Sequence, residues 1–107
     1  MAAQQFIERK LARDLAEGIG DLVASKGYAR IMAGKRTLAY VNERKTGPQL
    51  DFRAAAIEDA PARLRKRTTI KRGRALLSLG GQNEATRKGR AEAARALLQH
   101  VAAKGQT

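Results

Sequence analysis

YARIMAGKRTLAYVNERKTGPQLDFR, residues 28–53, concentrates aromatic and β-branched residues in short runs separated by Gly34-Lys35 and by the Lys45-Thr-Gly-Pro48 stretch. Side chains of this kind suit a pleated, half-buried surface, and glycine and proline supply the turns between strands. The stretch therefore predicts an antiparallel meander of two or three strands. In its last strand Leu50 and Phe52 alternate inward while Gln49, Asp51 and Arg53 face out, and Leu38 with Tyr40 is the expected matching apolar face of the strand before it.

Upstream, the periodicity changes. Ile7, Leu11, Leu15, Ile19 and Leu22/Val23 recur at spacings of three and four, the pattern of an amphipathic helix from Ala3 to about Lys26 with Gly27 as its C-cap. Gly18 and Gly20 cost roughly 1 kcal/mol each inside a helix, which marks the place where this one would bend or end early.

Downstream, Ala54 to about Arg67 reads as a short helix with Ile57, Pro61 and Leu64 on one face, Pro61 in its first turn, and Glu58 and Asp59 near the positive end of its dipole. Thr68 to Leu79 reads as one further strand with Ala75, Leu77 and Leu79 inward, closed by Gly80-Gly81. Asn83 is placed to cap a final helix running to about Lys104. Leu97, Leu98 and Val101 form its apolar stripe, Arg87, Lys88, Arg90 and Arg95 its other face, and Gly105 its stop. The expected fold is α+β in a single compact basic domain over residues 1–107: an N-terminal helix, an antiparallel sheet of three to four strands, a short helix and a long C-terminal helix.

The charge is the most informative quantity. Twenty-two Lys and Arg face ten Asp and Glu, a net of +12, and the excess is unevenly placed: residues 1–60 carry +2 and residues 61–107 carry +10. Within the second half, Arg63, Arg65, Lys66, Arg67, Lys71, Arg72 and Arg74 fall in twelve residues, with no acid between Asp59 and Glu84. Seven like charges repel one another, so gathering them implies a polyanionic partner. Phosphate backbones are such a partner, because each contact releases condensed counterions. The expectation is a non-enzymatic DNA- or RNA-binding protein whose surface comprises these seven residues with Arg87, Lys88 and Arg90. The rival reading is a small inhibitor or accessory factor, of a size and charge that suit a phage or plasmid protein, docking its cationic face on an acidic protein partner. A free sheet edge or the alanine-rich last helix also offers a surface for a homodimer.

Other chemistries find little purchase. The chain has no cysteine and one histidine, His100, so thiol chemistry is excluded, and neither a metal nor another cofactor is expected. Charges at Glu8, Arg9, Lys10, Arg13 and Asp14 interrupt what a signal peptide would keep apolar. No stretch approaches the roughly 18 apolar residues of a membrane span, so a cytoplasmic protein without membrane contact is expected.

Lys71-Arg72-Gly73-Arg74 shares Arg-Gly-Arg with AT-hook peptides but lacks their proline, and reads as a turn glycine between two arginines. Glu43-Arg44-Lys45 resembles the Glu-x-Lys half of a restriction-type nuclease site, yet Asp21 falls on the predicted first helix and Asp51 comes in the wrong order to complete it. Glu58 and Asp59 are adjacent and point about 100° apart on a helix, which rules them out as a catalytic pair. His100, between Leu97 and Val101, is expected to pack half-buried. Tyr28 and Tyr40 are the candidates for base stacking if either faces out of the sheet, although with four aromatics in the chain a core position is the stronger expectation.

Overall fold

The computed structural model describes residues 10–25, 28–45 and 47–104. Helix α1 (residues 10–16) leads into β1 (Asp21–Ser25), β2 (Tyr28–Ala33), β3 (Arg36–Arg44) and β4 (Gly47–Arg53). Two single helical turns, α2 (Ala54–Ile57) and α3 (Ala62–Arg65), then precede β5 (Thr69–Lys71), β6 (Arg74–Ser78) and the 21-residue α4 (Glu84–Lys104). The six strands form one antiparallel sheet in the order β1-β2-β3-β4-β6-β5. The class is α+β as expected, with six strands where three to four were expected.

Each additional strand traces to named residues at a turn. The first helix stops ten residues before Lys26 because Gly18 takes φ +77°, and the amides of Ile19 and Gly20 fold back to the Ala16 carbonyl. A β-carbon on Gly20 would lie 2.2 Å from the Met32 carbonyl oxygen, so glycine is what lets the chain enter the sheet beside β2. The apolar residues Leu22 and Val23, consistent with a helical stripe, are in fact in β1. Ile7 and the start of that stripe, like Gly27 and Gly105, lie outside the described residues.

The second additional strand comes from Arg72-Gly73. Both residues have positive φ, +52° and +76°, and close a two-residue turn that splits the expected Thr68–Leu79 strand into a hairpin. The expected 54–67 helix is likewise broken. Pro61 stands immediately before α3, while Glu58 is the C-cap of α2 and Asp59 follows it, so neither acid stands in the first turn of a helix; the Asp59 carboxylate pairs with His100 and Lys104 near the C-terminal end of α4.

Alternation along the strands divides the sheet into two faces. Ile31, Ala39, Val41, Leu50, Phe52, Ala75 and Leu77 point to one side and are buried, together with Ala12 and Leu15 of α1, Ile57 of α2, Leu64 of α3 and Ala94, Leu97, Leu98 and Val101 of α4. All four helices thus share one face. Arg95 fastens α1 to α4 by donating to the Asp14 and Glu17 carbonyls, and Arg36 donates to the Val101 and Ala102 carbonyls at the negative end of α4. At the positive end the Asn83 side chain caps the Thr86 amide at 2.8 Å.

Tyr40 departs from expectation. A register shift between Ile31 and Met32 leaves Leu38 as the extra residue of β3, so Leu38 and Ala39 both turn inward. Tyr40 then belongs to the opposite face, and Leu38 with Ala39 takes the core positions assigned to Leu38 with Tyr40. No helix of the described residues is long and apolar enough to cross a membrane.

Candidate nucleic-acid interface

The sheet's second face carries no helix among the described residues. Pairing registers lay its side chains out in rows running across the strands. One row reads Val23, Arg30, Tyr40, Asp51, Leu76 and Thr69; the next toward the β3–β4 turn reads Asn42, Gln49 and Ser78. On the other side of Tyr40 the row is Arg53, Arg74 and Lys71.

That last row places three cations as direct cross-strand neighbours on β4, β6 and β5. Neighbouring β-carbons in such rows are about 4.5–5.5 Å apart, and like charges directly opposite destabilise a sheet. Among the described residues only Arg74 of the three has an anionic partner: its Nε donates to Asp51 Oδ1 at 2.7 Å, and the other Asp51 oxygen accepts from Asn42 Nδ2 at 3.1 Å. The anchored guanidinium lies 5.7 Å from the centroid of the Tyr40 ring, within cation–π range. Arg30, the cross-strand neighbour of Tyr40 on its other side, has a buried Nε with no hydrogen-bond acceptor among the described residues. At the end of the row, Arg72 holds a left-handed conformation that a non-glycine residue adopts at a cost of about 1 kcal/mol or more.

Pairing of β3 with β4 ends at Tyr40 and Asp51, beyond which β3 follows β2 and β4 follows β6. The divergence opens a cleft of about 450 Å³, with Tyr40, Asp51, Arg53 and Arg74 among its polar lining and Ala56 and Val101 among its apolar lining. This is in the size range of small-molecule sites.

The ten residues expected from the sequence to form one basic surface divide into three groups. Lys71, Arg72 and Arg74 belong to the uncovered sheet face and its turn. Arg63, Lys66, Arg67 and Lys88 form the second group on the helical side: the first three surround the end of α3, and the Arg67 guanidinium reaches α4 beside Gly89, one residue from the exposed Lys88. Arg65, Arg87 and Arg90 each donate to a nearby carbonyl, those of Ala60, Gly81 and Gly80. These three tie down loops, as Arg95 ties down α1, although a guanidinium has five donors and one such bond leaves others open. The edge strand β5 joins the first two groups, with Lys66 and Arg67 just before it and Lys71 and Arg72 at its end.

Sequence reasoning passed over Arg30 and Arg53, which precede the dense run. Only pairing register brings Arg53 beside Arg74, and a sequence does not display register between strands twenty residues apart.

The nuclease-like constellation does not assemble. Asp21 is at the start of β1 rather than on the first helix, yet it aligns through Met32 with Thr37, six residues along β3 from Glu43. Six residues of strand separate them by about 20 Å. No group of three or more His, Cys, Asp or Glu side chains suited to a metal ion is present among the described residues. No family model, no curated protein and no solved structure matches this chain.

Proposed function

We propose that the protein is a small non-enzymatic nucleic-acid-binding module, held to the phosphate backbone by the basic surface of residues 63–95 extended across the sheet by Arg53 and Arg30. The observation that carries this reading is the Arg53–Arg74–Lys71 row. A fold that sets three cations side by side on an uncovered face, and ends the row with a fourth in a strained turn, accepts repulsion and backbone strain that a polyanion offsets. The cleft, the neighbouring Tyr40 and the net charge of +12 fit the same partner.

Binding to duplex DNA, single-stranded DNA and duplex RNA of equal length, measured across a salt series, tests the reading. Affinity for at least one form at 150 mM salt, falling linearly in log–log coordinates, is the expected result. Absence of binding to every form would refute it and favour an acidic protein surface as the partner of the same cations.

A further inference from the structure

Resting on that reading, the geometry points to a more particular ligand: we propose that the uncovered sheet face binds a single strand, with an unpaired base stacked on Tyr40 at the mouth of the cleft. The backbone then crosses the Arg53–Arg74–Lys71 row.

Three observations carry this. The first is size. A duplex presents its bases in a major groove about 12 Å wide, which admits a helix or a two-stranded ribbon. Six strands at about 4.8 Å spacing make a face about 24 Å across, too broad to enter. A single strand can lie along such a face with its bases turned toward the protein, which is how open sheets read unpaired nucleotides.

The second is chemistry. Every base has a π-face, and sequence-tolerant single-strand binding combines an aromatic platform with a track of cations. Tyr40 is half-buried between Arg30 and the Asp51–Arg74 pair, so its ring is held from several sides while the face of the sheet stays uncovered. Arg74, fixed by Asp51, lies over the ring 5.7 Å from its centroid, so the base stacks on the ring's other face while the remaining N–H groups of Arg74 are donors for a phosphate or a base edge.

The third is charge complementarity. Arg30, Arg44, Arg53, Lys71 and Arg74 occupy this face against Asp21 and Asp51, and with Arg74 and Asp51 paired to each other the remaining four cations face one acid. An extended polyanion with aromatic bases matches both the cations and the Tyr40 platform, whereas an acidic protein surface would match the cations alone.

The test uses the full chain with 12-nucleotide single strands of DNA and of RNA and with the duplex of the same sequence. Tyr40→Ala should weaken binding to the preferred single strand about 5- to 100-fold. Tyr40→Phe, which keeps the ring and removes the hydroxyl, should stay within about twofold, and its folding reports independently on whether the position tolerates change. The chain has two tyrosines and no tryptophan, so in Tyr28→Phe the emission comes from Tyr40 alone and should be quenched as the strand binds. Quenching with either DNA or RNA supports the proposal, and the stronger of the two identifies the source of the strand. A folded Tyr40→Ala variant that binds single strands undiminished, or a protein that prefers the duplex and shows no quenching, would overturn the proposal and leave nucleic-acid binding standing. Failure to bind any of the three probes would overturn the broader reading as well.

Discussion

The carboxylate of Asp59 accepts a hydrogen bond at Oδ1 from His100 Nε2 at 3.0 Å, and the same oxygen accepts from Lys104 Nζ at 3.0 Å. His100 and Lys104 are one helical turn apart near the end of α4, so one acid beyond α2 gathers two side chains and helps fix the helix to the α2–α3 connection. These two hydrogen bonds, that of His100 first, lower the Asp59 pKa from 3.8 to about 2.

A carboxyl with a depressed folded-state pKa contributes stability that is fully present above its unfolded value and is lost as pH falls through the folded value. Asp59→Asn should therefore lower Tm at pH 7 and at pH 5, and the gap to the parent protein should close between about pH 4 and pH 2. Thermal melts of both proteins at pH 7, 5, 3 and 2 check this. A gap that persists unchanged at pH 2 would show that the pairing is not its cause.

Gly18 and Gly20 should respond differently to alanine. At Gly20 the added β-carbon meets a backbone carbonyl at 2.2 Å, which cannot rotate away, so β1 must move from β2 and a loss of about 2 kcal/mol or more is expected. At Gly18 nothing lies within 4 Å, and the cost is the strain of φ +77°, about 1 kcal/mol. Urea unfolding of the two variants ranks them; equal losses would contradict the assignment of Gly20 to close backbone approach.

Phe52 has no exposed surface and faces the helices from the centre of the sheet. Phe52→Ala should cost about 3–5 kcal/mol through lost transfer energy and the cavity left behind. A loss below about 1 kcal/mol in the same measurement would place the core elsewhere.

The parts of the fold visible in the sequence are those governed by neighbours in the chain. Asn83 caps α4, Leu50 and Phe52 alternate inward, and Ala75, Leu77 and Leu79 do the same, because period and capping are local properties. What escaped was decided across the sheet. Leu22 fits a helical stripe as well as a strand, and Gly20 settles the matter only through its distance to Met32. Tyr40 was expected in the core because alternation from Leu38 puts both on one side, and a bulge created by pairing with β2 reverses it. The candidate site divides along the same line. Charge density drew attention to residues 63–74, but the row that includes Arg53 exists only once β4 and β6 are paired.

Arg72 offers a test in which stability and binding move in opposite directions. Asparagine tolerates the left-handed conformation and is favoured before glycine in this kind of turn, so Arg72→Asn should stabilise the protein by about 0.5–1 kcal/mol. The same change removes one cation, and the salt slope on a single strand should flatten by about 0.7. A variant that is less stable, or more stable with unaltered binding, would separate the strained turn from function.

Strand length should distinguish the two basic groups that flank β5. A 12-nucleotide strand seated along the sheet face meets the Arg53–Arg74–Lys71 row, whereas Lys66, Arg67 and Lys88 are on the helical side of the edge strand. Replacing Arg53 and Lys71 with glutamine removes two contacts and leaves the Arg74–Asp51 pair intact. The slope of log affinity against log salt should then flatten by about 1.4 on strands of 12 and of 30 nucleotides alike. Replacing Lys66, Arg67 and Lys88 should leave the 12-nucleotide slope unchanged. It should flatten the 30-nucleotide slope by about 2, because only the longer strand continues past β5 to reach them. The loss should be similar for unrelated sequences, since backbone contacts carry no base information. An equal effect of both replacements on the short strand would mean that it runs over the edge rather than along the face. No effect of either, in folded variants, would remove both groups from the interface.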